Sequence, residues 1–219
     1  MVDFNTSYYV VDYNYGVFLL NDNYDYVTKQ TFSKPNCIVN VNSSLYKTGD
    51  QNIWKTDKFL NLLITYSSSS HKYQGILYNC TEYLIYVAPY TNTYLQVFDL
   101  NLNLYSSTIS VSSHFPFSLA ENNNELYVGT TGKIVLVVVN KAIIRSFTAC
   151  IADFISSMVF DKFGLMAIAC RDDKMVKLFH SNGTYTSKDL ATSEKVHDVR
   201  FDSKGRFVVS LDKELRIYF

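Results

Sequence analysis

The chain has 219 residues, 47% of them hydrophobic, with 20 basic and 20 acidic side chains. That length and apolar content support a buried core and argue against a disordered chain, while a net charge of zero leaves no electrostatic footprint for a nucleic-acid backbone or an anionic membrane. Tyr (18) and Phe (15) are abundant, and Pro (3) and Trp (1) are scarce, a composition that suits pleated, half-buried strands.

The opening segment, MVDFNTSYYVVDYNYGVFLL, has no basic leader and no unbroken apolar stretch, so no signal peptide is expected. The longest apolar run, Ile134 to Val139, falls far short of the roughly 20 residues a membrane helix needs, and no membrane insertion is expected. From Tyr8, YYVVDYNYGVFLLNDNYDYVTKQTF reads as the last three strands of a partial unit. Next come Leu45-Tyr46-Lys47, Ile85-Tyr86-Val87 and Leu126-Tyr127-Val128, which place Tyr46, Tyr86 and Tyr127 at steps of 40 and 41 residues, and the same phase reaches Ala167 and Val208. Leu95-QVFDLNLNLYSS aligns with Val176-KLFHSNGTYTSK. Ile134-VLVVV, apolar at successive positions, fits an inner strand buried on both faces. The clearest repeat is Val159-FDKFGLMAIAC against Arg200-FDSKGRFVVSL, followed by MVKLF at 175–179 and LRIYF at 215–219.

Each unit holds four short strands, as in Phe154 to Phe160, Leu165 to Cys170, Met175 to His180 and Tyr185 to Ala191, separated by Gly/Asn/Asp/Ser turns. Four strands in a period near 40 residues select an all-β propeller of five to six blades with incomplete terminal blades. A helical solenoid is disfavoured by the alternation of Val176 with Leu178 and of Leu95 with Val97. The expected organisation is one propeller domain over 1–219, with units near 1–33 (partial), 34–73, 74–111, 112–153, 154–194 and 195–219 (partial).

The stretch FDKFGLMAIAC-RDDK-MVKLFHSNGTYTSK resembles the NHL-repeat propellers in its Asp-x-x-Gly turn, polar hairpin, apolar-Phe strand and Asn-Gly turn. The match is best over 154–219, and Asp172-Asp173-Lys174 occupies the hairpin where that family carries its naming tripeptide. A WD40-like propeller is the second fit, lacking Gly-His and Trp-Asp pairs. The resemblance implies an interaction scaffold that binds a protein or peptide through rim loops, with a metal-dependent lyase or lactonase and an RNA-binding propeller as alternatives. Zero net charge disfavours nucleic acid.

No nucleophile elbow, P-loop, dinucleotide fingerprint or HExxH is present, so no catalytic residue is assigned. His71, His114 and His197 each stand just ahead of the first strand of a unit and are the candidate ligands for a divalent metal, although solvated loop histidines are the simpler reading and no cofactor is expected. Glu82, Glu121 and Asn122, which a lactonase-type metal site would use, read more simply as turns. The recurring tyrosines read as packing between blades. The non-periodic aromatics Tyr13, Tyr15, Tyr73 and Tyr90, with the charge cluster Arg171, Asp172, Asp173 and Lys174, are the candidate partner-binding residues. Cys37, Cys80, Cys150 and Cys170 show no metal-ligand spacing and read as free thiols; with no signal peptide, this leans towards a cytoplasmic protein. Four Asn-x-Ser/Thr sequons match what chance provides in a chain this rich in Asn, Ser and Thr, and oligomeric state is left open.

Overall fold

In the computed structural model, residues 2–4, 7–21, 23–105, 108–111, 114–152, 154–202 and 205–218 are described. They form 23 strands, and no helix occurs among them, so none is long and apolar enough to cross a membrane. The strands build six antiparallel sheets in which spatial order follows chain order. The first holds β1 (Val2–Phe4), β2 (Ser7–Asp12), β3 (Gly16–Asn21) and β4 (Tyr26–Gln30); the second β5 (Pro35–Val41), β6 (Ser44–Gly49), β7 (Asn52–Asp57) and β8 (Leu62–Ser67). The third holds β9 (Tyr73–Asn79), β10 (Leu84–Pro89), β11 (Tyr94–Phe98) and the two-residue β12 (Ile109–Ser110). The fourth holds β13 (Pro116–Asn122), β14 (Glu125–Thr130), β15 (Ile134–Val139) and β16 (Ala142–Thr148); the fifth β17 (Ile155–Phe160), β18 (Leu165–Cys170), β19 (Met175–His180) and β20 (Tyr185–Ala191). The sixth has three described strands, β21 (Val196–Phe201), β22 (Phe207–Leu211) and β23 (Leu215–Tyr218). The expected partial first unit thus gains β1, whose Val2 pairs with Tyr9 and makes that sheet four-stranded. The chain divides into two compact units, Met1–Thr108 and Ile109–Phe219.

Meander topology gives every sheet two different ends. First-to-second and third-to-fourth turns lie at one end, and the second-to-third hairpin with the link to the next sheet lies at the other, here called the connection end.

Four of the turns at the first end share one device. Asp57 Oδ1 accepts the amides of Phe59 (2.8 Å) and Asn61 (2.9 Å), Asp99 Oδ1 those of Asn101 (2.8 Å) and Asn103 (2.9 Å), and Asp161 Oδ1 those of Phe163 and Leu165 (both 2.8 Å). Asn21 does the same for Asn23 and Asp25, both at 2.9 Å. The residue three after the acceptor turns left-handed. It is Gly164 (φ 83°) in the expected Asp-x-x-Gly turn, but Tyr24 (66°), Leu60 (69°) and Leu102 (60°) in the earlier sheets. These larger residues accept the strained conformation because their side chains are used in packing: Leu60 and Leu102 are buried in the cores, and Tyr24 stacks on Tyr8 with centroids 4.5 Å apart.

Neighbouring sheets are held together by apolar cores. In the first half, Tyr9, Val17, Leu45 and Trp54 join the first two sheets, and Tyr46, Tyr73, Ile85 and Phe98 join the next pair. In the second half, Tyr127, Val137, Met158 and Phe179 join the fourth and fifth sheets, and Ala167, Val176, Val199 and Val209 the fifth and sixth. The recurring tyrosines supply more than area. Tyr9 OH donates to Lys58 O (2.6 Å), Tyr46 OH to Leu100 O (2.7 Å) and Tyr127 OH to Ser181 O (2.9 Å). These three second-strand tyrosines therefore lock their sheets to the third-to-fourth turn of the next, satisfying a polar tip that would otherwise be costly to bury.

The cysteines correct the sequence reading in part. Cys150 and Cys170 form a disulfide with Cα atoms 5.5 Å apart, while Cys37 and Cys80 are free. Cys170 is a buried residue of β18, as expected, but the link after β16 brings Cys150 onto it, a long-range convergence that spacing alone does not encode.

Candidate functional site

The three histidines and the residues singled out for partner binding lie at or beside the connection ends. In the first half, Asp12 Oδ1 accepts the amides of Asn14 (2.8 Å) and Tyr15 (2.9 Å), tightening the β2–β3 hairpin. Gly16 closes it at φ 110°, where an added Cβ would stand 2.3 Å from Gln30 O. The hairpin displays Tyr13 (45% exposed) and Tyr15 (62%). Beside it Lys34 Nζ lies 5.7 Å from the Tyr13 ring centroid and 3.3 Å from Asp50 Oδ2. Tyr90 is half-buried in the β10–β11 hairpin, its amide bonded to Lys72 O at 3.0 Å.

Tyr73 is a correction to the surface reading. It is the first residue of β9 and is fully buried, with its hydroxyl donating to Gln96 Oε1 at 2.9 Å. Burial pushes that hydroxyl well above the usual tyrosine range. A tyrosine whose polar tip finds an internal acceptor can be buried whole, so this ring faces no partner.

The three histidines have different settings. His71 Nδ1 lies 2.7 Å from Ser68 Oγ and 2.9 Å from Ser70 Oγ, and its Nε2 lies 2.9 Å from Tyr94 OH. Its ring stacks near-parallel to Tyr73, and burial pushes the imidazole below its ordinary pKa, favouring the neutral form. His114 carries a buried Nδ1 without a hydrogen-bond partner. His197 sits inside β21 rather than ahead of it, and its Nε2 is 2.6 Å from Asp212 Oδ1, which holds the Asp212 carboxyl below the usual range. Among the described residues, the set of three metal-ligating side chains that converges is Cys150, Cys170 and Asp173, two of which are committed to the disulfide. Of the lactonase-type candidates, Glu82 accepts the Tyr86 hydroxyl in a first-to-second turn, and Glu121 and Asn122 end β13 at that same end of their own sheet.

The Arg171–Lys174 hairpin is less solvated than its composition suggests. Asp173 is half-buried with its side chain only 5% exposed, accepts the amides of Ile151 (2.8 Å) and Ala152 (2.6 Å), and pairs with buried Lys177 at 3.4 Å. Asp172 pairs with Lys195 at 3.0 Å. Arg171 lies 5.5 Å from the Phe154 ring centroid, and Lys174 reaches Ser193 O at 3.5 Å. The carboxylates are thus spent on structure, while Lys174 is exposed and Arg171 half-buried, its Nε buried without a hydrogen-bond partner. Sequence reasoning missed Ile151, which stands 77% exposed beside the disulfide, because nothing local marks an isoleucine in a link as displayed.

No family model and no curated protein sequence matches the chain. Among the solved structures that share its fold are the following two. The WD40 domain of Pan2 from Neurospora crassa superposes with a TM-score of 0.75 at 10% identity, covering 99% of this chain and 73% of that one. A protein of unknown function from Bacteroides caccae superposes at 0.73, also at 10% identity, covering 94% and 82%. The fold is a six-blade β-propeller. The six sheets are its blades, and at such identity the likeness concerns fold alone.

Proposed function

We propose that this propeller is a non-enzymatic interaction scaffold that binds a protein or peptide partner through the loops at its connection ends. The observation that carries the reading is the β2–β3 hairpin, where a capped turn of fixed conformation presents two exposed tyrosines beside Lys34 and Asp50. Tyrosine offers rigid amphipathic area at low entropic cost, the commonest chemistry of an interface anchor. The likeness to a WD40 domain is in keeping with a protein partner, and the Asp-x-x-Gly turns at Asp161–Gly164 and Asp202–Gly205 support kinship with NHL-repeat propellers.

The test is affinity capture from the natural source with the intact chain, followed by titration of the purified partner. The Tyr13→Ala/Tyr15→Ala double variant should weaken that complex by about 2 kcal/mol, roughly thirtyfold, without moving the melting temperature. An affinity unchanged in the double variant refutes this hairpin as the anchor.

A further inference from the structure

The second half carries a preorganised surface whose chemistry is specific. Backbone hydrogen bonds stitch together the links ahead of the fourth and fifth blades and the second-to-third hairpins of those blades. Thr131 donates to Phe115 O (2.9 Å), Phe154 to Thr131 O (3.1 Å), Ala149 to Lys133 O (2.8 Å) and Arg171 to Phe154 O (3.1 Å). Within this framework the short segment around Ile151 is fixed three times over, by the Cys150–Cys170 disulfide and by the two amides that Asp173 accepts. Asp173 is in turn held by Lys177.

The disulfide itself belongs to the core of the second half, but the segment it restrains carries Ile151 outward at 77% exposure; Phe115 beside the same framework is 44% exposed. Rigid display of apolar side chains lowers the ordering cost of binding. Asp172 and Asp173 are neutralised by Lys195 and Lys177, whereas Lys133, Arg171 and Lys174 form no ion pair among the described residues.

We propose that this surface, built on Ile151 and Phe115 and ringed by Lys133, Arg171 and Lys174, docks an acidic peptide segment of a partner protein that offers an apolar side chain between carboxylates. The inference rests on the scaffold reading above and names a partner chemistry for it. Carboxylates on the segment would meet the three cations, which sets orientation and speeds encounter, while the apolar side chain packs against Ile151.

The experiment selects binders from a phage-displayed library of random 12-residue peptides on the intact, oxidised protein, then titrates the enriched peptides by fluorescence anisotropy. Enriched sequences should place Asp or Glu on both sides of an apolar residue. Their affinity should fall about tenfold or more in Ile151→Asp, and comparably in Lys133→Glu/Lys174→Glu, both exposed substitutions whose folding is checked by circular dichroism. It should also fall with added salt in the wild type.

Failure to enrich any peptide, enrichment of neutral or basic sequences, or affinities unmoved by both variants would overturn the proposal. So would a 15-nucleotide uridine oligomer that binds this surface more tightly than every selected peptide. Tyr13→Ala/Tyr15→Ala leaves peptide affinity unchanged if the surface is as described. A natural partner that depends on the tyrosines but ignores the Ile151 and lysine variants removes this inference and leaves the scaffold reading standing.

Discussion

Lys47 shows how a single residue can set the response of the fold to pH. It lies in β6, fully buried in the apolar core between the first two blades, with Nζ 2.9 Å from Thr56 Oγ1 and 3.9 Å from the Phe32 ring centroid. Desolvation, partly opposed by the Asp57 charge, lowers its pKa to about 7. Below that value the ammonium is charged in both folded and unfolded chains, and the folded chain bears its burial. As pH rises from about 7 towards the unfolded value, the folded chain sheds the proton first, so the unfolded state binds more protons and stability increases. The denaturation midpoint should therefore climb between pH 7 and 9.5 in the wild type. In Lys47→Met this contribution should vanish, and stability at pH 7 should increase by about 1–2 kcal/mol, measured by urea titration. An unchanged pH profile in the variant would show that Lys47 is not the group responsible.

Tyr127 sits in a second residue-scale network. Its hydroxyl shares its one proton between Glu125 Oε2 (2.6 Å) and Ser181 O (2.9 Å) and lies 3.1 Å from Arg145 Nη2, while Arg145 grips Glu125 through both guanidinium nitrogens and holds that carboxyl below its usual range. Removing the hydroxyl leaves Ser181 O without that donor, so Tyr127→Phe should cost about 1 kcal/mol in the same titration.

Among the elements, the capped turns decide how the blades fit. Leu60 occupies a left-handed position that glycine would adopt more freely, yet its side chain is buried between the first two blades. Leu60→Gly relieves about 1 kcal/mol of backbone strain and forfeits about 2–4 kcal/mol of packing, so a net loss near 2 kcal/mol is expected in thermal or urea unfolding. Gly183 is the converse. At φ 88° with Phe147 only 2.7 Å from an added Cβ, it should not tolerate alanine.

These turns also mark how far the sequence could be read. Asp161-x-x-Gly164 and Asp202-x-x-Gly205 were visible because glycine advertises a positive φ. The same turn at Asn21, Asp57 and Asp99 escaped notice because Tyr24, Leu60 and Leu102 fill the glycine position and look like strand residues. The strand period is legible, since alternation and a 40-residue step are local signals repeated along the chain, and it bounds the blade number at five to six. Tyr73 and the Asp173 carboxylate were misjudged as surface, because their burial depends on Gln96 and on the Ile151 link, partners that lie at distances no local pattern records.

For the whole molecule, the disulfide and the connection ends carry the account. Cys150–Cys170 closes a 20-residue separation within the second half, for which chain-entropy arguments give about 3 kcal/mol. Cys150→Ser should lower stability by roughly that amount under oxidising conditions, and a reductant should bring the wild type down to the variant. The two halves thus display different loop chemistry on one fold, tyrosines at Tyr13 and Tyr15 in the first and a restrained, cation-ringed isoleucine in the second.

Cross-linking mass spectrometry of the intact chain with its captured partner tests the central claim most directly. The account expects cross-links at the connection ends, from Lys34, Lys72, Lys133 and Lys174. Cross-links confined to the turns at the opposite end and the outer strands, at Lys29, Lys58, Lys141 and Lys188, would contradict it.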